Sequence, residues 1–271
     1  MDTAAIRDAV ERVQCALDLR RRIVGVRFLF DPAEFAAAPA PRAAARMPYC
    51  GMVKRAMRGH ALKAELDDFA CRASARALGL IPPDDLFLSG RHYRRLGLYR
   101  DLVVAKQVRQ HMTLCQHSAH GVELMPLEEF RAEPDVVLLA GRPYHAMRLV
   151  QGYTHQFGTN TRYKMAGNQA VCSELTAYPL EHDCLNVSML CAGTRFMAGW
   201  GDDELGLGLP FRRFLRLVEG LCATLDLTEP DRKKRPIAAR FAARDRTDLT
   251  LAYGKNYYTG LYLTQKGRKR P

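Results

Sequence analysis

The sequence predicts an α/β or α+β protein with a single mixed sheet flanked by helices and a C-terminal β-hairpin extension. Helical and strand-like hydrophobic periods alternate along the chain, and 48% hydrophobic and 26% charged residues are typical of globular proteins. The 271 residues suffice for a large core. We expect a globular domain over 1–227, a basic linker over 228–246, the hairpin over 247–264 and a basic tail over 265–271.

The first half of the chain contains clear helix and strand patterns. Apolar residues three and four apart predict a helix over 3–20, and the apolar run from Ile23 to Phe30 predicts a strand stopped by Asp31-Pro32. An Ala/Pro-rich loop is expected over 32–46. Further helices are expected from near Pro48, from Asp67-Asp68 through Leu78, and from Asp101 toward His111.

The second half continues the alternation. The branched apolar run from Asp135 to Ala140 predicts a central strand, and Pro143 is suited to open the helix after it. Beyond it we expect a helix over Gln169 to Tyr178, a strand over Leu185 to Leu190 and an amphipathic helix opened by Pro210. Alternating apolar residues on either side of Gly254-Lys255-Asn256 predict the hairpin, in which Leu249, Leu251, Leu261 and Leu263 share the pattern.

The formal net charge of +12 is concentrated at the C-terminus. Twelve Lys or Arg and four Asp or Glu lie from Glu229 onward, a net charge of +8 in that part. A basic tail can bind nucleic acid through phosphates, but such runs are more often solvated surface, so the leading interpretation includes no nucleic acid. The charged first residues and the lack of an apolar run of about 18 residues argue against export and a membrane partner. We expect a cytoplasmic protein.

The eight cysteines include no CxxC pair, which disfavours a zinc ribbon or a thioredoxin-type dithiol. Cys15 and Cys222 lie in predicted amphipathic helices and are expected to be ordinary core thiols. Two others, Cys50 and Cys172, lie near predicted helix starts, where free N–H groups favour a thiolate. They are followed 21 and 19 residues later by Cys71 and Cys191. Two similar pairs suggest one iron–sulfur cluster; four buried thiols are the alternative.

Several blocks occur in the order typical of one protein family. They are YCGMVKRAMRG, FACRASARALGL, PLEEFRAEPDVVLLAGRPYHAM, AGNQAVCSELTAYPL, SMLCAGTR and GDDELGLGLPFRRFLRLVEGL. In these blocks the chain resembles domain of unknown function family 169, roughly from Leu17 to Leu225. The blocks include the positions of Cys50, Cys71, Cys172 and Cys191. The resemblance implies where the domain ends and favours these four as the cluster ligands; it implies no substrate or catalytic residue.

A second group of ligand-type residues lies in the segment HMTLCQHSAHG. On a helix, His111 and Cys115 would share a face, and His117 and His120 could approach from the following loop. Cys115, His117 and His120 are therefore candidates for a further metal site, or Cys115 for a supplementary cluster ligand. The alternative is a polar helix end with exposed histidines.

The leading hypothesis is an intracellular iron–sulfur protein, with a [4Fe–4S] cluster, that catalyses redox or sulfur-transfer chemistry on a small molecule. Lys54, Arg142, His145 and Arg195 are the candidate substrate-binding residues. Arg142 and His145 could hold an anionic substrate, and Lys54 or Arg195 could lower the pKa of a nucleophilic cysteine. The expected partners are the substrate, an electron donor protein and a second copy of the chain docked through the hairpin. One alternative is a metal-free enzyme with Cys172 or Cys191 as nucleophile. Another is a basic RNA-binding or assembly module.

Overall fold

One six-stranded sheet runs through the middle of the protein, with helices packed on both faces. The computed structural model describes residues 2–254. The strand order is β2-β3-β1-β4-β6-β5, and every neighbouring pair is antiparallel. The strands are β1 (Val24–Leu29), β2 (Leu62–Glu65), β3 (Gly121–Pro126), β4 (Val136–Gly141), β5 (Asn186–Ser188) and β6 (Leu205–Pro210).

Short and long helices connect the strands. Those before β3 are α1 (Thr3–Leu17), α2 (Pro32–Ala37), α3 (Tyr49–Met57), α4 (Arg72–Ala77), α5 (Asp85–Leu88), α6 (Arg91–Arg95) and α7 (Leu102–His111). Those after it are α8 (Pro143–Phe157), α9 (Tyr178–His182), α10 (Phe211–Ala223), α11 (Leu225–Thr228) and α12 (Asp231–Ala242). Two segments form wider π-helices, π1 (Ala170–Ala177) and π2 (Gly193–Met197). Among residues 2–254 no helix has both the length and the apolar character needed to cross a membrane.

Strand β4 shows how the sheet separates two cores, because side chains alternate between the faces of a strand. Val136 and Leu138 belong to one core, which also contains residues of α3, α4 and π1. Val137 and Leu139 belong to the other, which contains residues of α1, α8, α10 and α12. Three of the four cysteines of the predicted cluster set, Cys50, Cys172 and Cys191, are in or against the first core, and the fourth, Cys71, directly precedes α4.

Glycines in β6 bring π1 unusually close to the sheet. A Cβ at Gly208 would lie 1.9 Å from the backbone oxygen of Leu175, so only glycine fits there without movement. The Oγ1 of Thr176 donates to the carbonyl of Val171 five residues earlier, at 2.8 Å, which supports the wide turn. The sheet and its glycines therefore hold the helix that carries Cys172 in place.

The predicted fold class, one sheet flanked by helices, is confirmed. Asp31 and Asp101 accept hydrogen bonds from the first turns of α2 and α7, and Pro143 opens α8. The sequence predicts a mixed sheet, but all the strand pairs among residues 2–254 are antiparallel. The expected loop over 32–46 includes the short helix α2, and the helix expected from Asp67 is instead a single 3₁₀ turn, Leu66–Asp68, followed by α4.

The region after Leu227 differs from the prediction. The expected basic linker contains α12, which packs on α1 through buried Ile237 and Phe241. Residues 249–252 form no strand; Leu251 is buried in the core of its own chain. Leu249 and Leu251 pack in or against the second core of the same chain and do not pair as a strand. The first half of the predicted hairpin is therefore absent. Its second half, with Leu261 and Leu263, and the basic tail lie outside the described residues.

Candidate metal centre

Four cysteines from distant parts of the chain line one cavity of about 340 Å³. Cys50 is the second residue of α3, Cys71 directly precedes α4, Cys172 is the third residue of π1, and Cys191 lies two residues before π2. The volume is at the small end of the range of small-molecule pockets. Each cysteine is therefore placed by the start of a different helix, on the same side of the sheet.

Local hydrogen bonds hold three of these segments. The indole Nε1 of Trp200 donates to the backbone oxygen of Cys50 at 3.1 Å, which joins the start of α3 to the turn after π2. The Sγ of Cys191 lies 3.2 Å from the Oγ1 of Thr194. The Sγ of Cys172 donates to the backbone oxygen of Gln169 at 3.6 Å, across the first turn of π1.

The cavity raises the pKa of two of its thiols, Cys50 and Cys172. Burial raises the pKa of Cys50 to about 12, and the neighbouring thiols of Cys191 and Cys71 add to the increase. Burial also raises the pKa of Cys172 well above its ordinary value, with further contributions from the other three cysteines. Because the part of the lining that the structure describes includes no Lys, Arg, Asp or Glu, these two thiols stay protonated at neutral pH unless a cation enters.

Two buried polar side chains of the same cavity have no hydrogen-bond partner within the described residues. They are the hydroxyl of Tyr93 and the amide of Gln169, whose oxygen and nitrogen are both unpaired. Gln169 also has a φ of +52°, which a non-glycine residue rarely adopts. Unpaired buried polar groups destabilise a protein, and strain is concentrated at functional sites. Both features indicate a site that is completed by a bound group.

The distances between the four sulfur atoms indicate whether the cavity is arranged around a single metal ion. A tetrahedral zinc ion with four cysteine ligands holds its sulfurs about 3.8 Å apart. Within residues 2–254, the ligand atoms of only one group of three lie within 4.8 Å of one another, and that group is Cys115, His117 and Glu181. No three of the four cavity sulfurs lie within 4.8 Å of one another, so they are not arranged around one ion.

The second predicted metal group is present in altered form. Cys115 and His117 meet Glu181, not His120, whose Nε2 pairs with Glu65 at 3.0 Å on the other side of the segment. His111, at the end of α7, lies against the carbonyl of Gln107 at 2.8 Å. Glu181 follows Cys172 by nine residues and comes from α9, so no local spacing indicated its participation.

The four predicted substrate-binding residues lie outside the cavity lining. Lys54 donates to the carbonyl of Ala198 at 2.8 Å, and Arg195 donates to the carbonyl of Met189 at 2.9 Å, so both brace the chain around π2. The remaining two are elsewhere: Arg142 pairs with Asp203 at 3.3 Å, and the Nδ1 of His145 accepts the Arg142 N–H at 3.2 Å to cap α8. The polar residues that do line the cavity include Tyr93, Gln169 and His92, none of which the motifs identified.

The fold and cavity define a mixed α/β protein with a convergent set of four cysteines. The chain belongs to domain of unknown function family 169, described as an uncharacterised ArCR family, whose model matches residues 12–220. It is 27% identical over 176 residues to the uncharacterised protein MJ0308 of Methanocaldococcus jannaschii, a match that covers 64% of this chain and 75% of the relative. No solved structure matches significantly.

Proposed function

We propose that this protein binds an iron–sulfur cluster through Cys50, Cys71, Cys172 and Cys191, and that it is an enzyme of redox or sulfur-transfer chemistry on a small molecule. The observation that carries the proposal is the meeting of four thiols from four segments in one cavity, whose described lining includes no Lys, Arg, Asp or Glu. Clusters are held by this type of ligand set, including sets gathered from distant segments.

The donor chemistry fits such a group. Thiols with raised pKa values become thiolates when metal charge replaces their protons, which are released to solvent. No three of the four sulfurs lie within 4.8 Å of one another, a wider arrangement than a single ion requires, which supports a larger centre. A [4Fe–4S] cluster, with one thiolate for each iron, is the form that we propose.

When bound, the cluster supplies one-electron transfer or sulfide to the substrate. The residues of the chain then have separate roles. Tyr93 and the amide of Gln169 donate hydrogen bonds into the cavity, to cluster sulfur or to the substrate, and their direction sets where a substrate lies. Leu96, Leu98 and Met197 supply apolar side chains at the cavity, and each of them is more than half exposed. A redox reaction would also need an electron donor protein.

Anaerobic purification followed by iron and sulfide analysis tests the ligand assignment. We expect about four iron and four sulfide per chain. Replacing any one of Cys50, Cys71, Cys172 or Cys191 with Ser lowers both together, whereas Cys15→Ser and Cys222→Ser change neither. Cys15 and Cys222 are matched controls because they lie in α1 and α10 against the other core. Equal iron loading in all six variants would refute the proposal.

The same variants indicate whether catalysis occurs at the cluster. If three of the four cysteines suffice for iron, one iron has an open position for substrate or sulfide. If all four are required, electron transfer without direct substrate binding is favoured. The absorption of the cluster and its loss on reduction with dithionite separate a redox-active centre from a passive one.

The two alternative functions receive less support from the described residues. A nucleophilic Cys172 or Cys191 would need a nearby cation to form a thiolate, but Lys54 and Arg195 bind backbone carbonyls instead. Within the basic run of α12, Lys234 is buried and pairs with Asp226 at 3.1 Å, so this charge stabilises the fold.

A further inference from the structure

Cys115, His117 and Glu181 form a compact group on the same side of the sheet as the cysteine cavity but outside its lining. Their sulfur, nitrogen and oxygen ligand atoms all lie within 4.8 Å of one another. Burial raises the pKa of the Tyr49 hydroxyl, and electrostatic interactions with Cys172 and Cys115 raise it further. Tyr49 is therefore close to both groups, which remain distinct.

His117 is held as a metal-binding imidazole would be. Its ring packs edge-on against Phe28 and Phe30, with centroid distances of 4.4 and 5.3 Å, so its orientation is fixed. Its Nε2 is buried and has no hydrogen-bond partner within the described residues, while the Leu78 backbone accepts from the ring. A backbone acceptor on one ring nitrogen and a free second nitrogen are the arrangement typical of histidine ligands.

The charges around this imidazole favour a cation. The negative charges of Glu181 and Asp135 interact with both Cys115 and His117. Asp135 is partly buried, accepts the Phe28 N–H at 2.7 Å and has Arg27 as its other basic neighbour. Two carboxylates and one thiol therefore lie around this imidazole, and a divalent ion would offset the repulsion between the two carboxylates.

We propose that Cys115, His117 and Glu181 bind a zinc-class divalent cation at a second site, independent of the cysteine cavity. Mixed sulfur, nitrogen and oxygen donors are typical of zinc. Binding replaces the Cys115 thiol proton, which passes to solvent. The ion would tie the segment before β3 to α9, which directly continues π1 and so supports the helix that carries Cys172.

Metal counting on the intact protein tests this site. Protein produced with added zinc is isolated anaerobically, and zinc, iron and sulfide are measured per chain. We expect about one zinc in the wild type and in His120→Ala, a matched control because His120 pairs with Glu65 instead. Cys115→Ser, His117→Ala and Glu181→Gln each reduce zinc at least tenfold and leave iron and sulfide unchanged.

Glu181→Gln separates loss of a metal ligand from loss of the fold. The glutamine amide oxygen can still accept the Gln116 N–H that Glu181 accepts at 3.0 Å, so the local fold is retained. Added zinc should raise the Tm of the wild type but not that of Glu181→Gln. Absence of zinc from the wild type, zinc retained in all three variants, or equal loss in His120→Ala would overturn the proposal. Iron absent from the wild type, with zinc bound as expected, would count against the proposed cluster alone.

Discussion

Replacement of Tyr93 by phenylalanine is a sharp test of whether the cysteine cavity is built for a bound group. The Tyr93 hydroxyl is buried and unpaired among the described residues. An unsatisfied buried polar group costs about 1–3 kcal/mol. Tyr93→Phe should therefore raise the free energy of unfolding of the metal-free protein by about that amount, and raise its Tm by roughly 2–4 °C per kcal/mol.

Tyr49→Phe is the matched control, since the equally buried Tyr49 hydroxyl is paired with the Oγ1 of Thr176 at 3.1 Å. Its removal should destabilise the metal-free protein by about 0.5–1.5 kcal/mol. Urea denaturation of both variants gives the comparison. In cluster-loaded protein the stabilisation by Tyr93→Phe should vanish or reverse, because the hydroxyl then has a partner. Destabilisation of the metal-free protein by Tyr93→Phe as large as that of the control would refute the reasoning.

Three further predictions concern packing, a buried ion pair and thiol reactivity. Gly208→Ala should lower the free energy of unfolding by about 1–3 kcal/mol in urea, because its Cβ meets rigid backbone of π1, and Gly206→Ala should cost less, because its Cβ meets a movable leucine side chain. Glu229→Gln should cost about 3–5 kcal/mol by leaving the buried Arg148 guanidinium without its partner carboxylate at 2.9 Å; a thermal shift under 2 °C would contradict this. In metal-free protein, a Cys50 pKa of about 12 should make alkylation by iodoacetamide about 10³-fold slower at pH 8 than for an ordinary thiol, with the rate rising as pH approaches 12; fast alkylation at pH 8 would contradict it.

The elements with strong local signals could be predicted from the sequence, and those shaped by tertiary contacts could not. Asp101 caps α7 and Pro143 opens α8 because these residues act on their own turns. Strand β3 was missed because Glu123, buried at 1% exposure, interrupts its apolar pattern; it accepts the Ala40 N–H at 3.1 Å. The π-helical form of π1 depends on the close approach of Gly208, which no local pattern encodes.

The residues of the candidate site also include some that the sequence indicated and others that only the folded structure reveals. Spacing and the family resemblance singled out four cysteines, which the fold places around one cavity. Tyr93 and Gln169 carried no motif, because what distinguishes them is the lack of a partner after folding. Glu181 and Cys115 are far apart in the chain, and only the packing of α9 brings them together. The four candidate substrate-binding residues lie outside the cavity lining, where Lys54, for example, donates to a backbone carbonyl.

The electrostatics of the cavity connect its structure to its chemistry. Four thiols are gathered among apolar side chains, and burial keeps Cys50 and Cys172 protonated in the absence of metal. An enzyme that used one of these thiols as a nucleophile would need the opposite, a depressed pKa and a cation beside the sulfur. A metal centre needs only that several thiols lose their protons together to a shared positive charge, and an apolar surrounding strengthens that attraction. The same burial that disfavours single-thiol catalysis therefore favours a cluster held by all four.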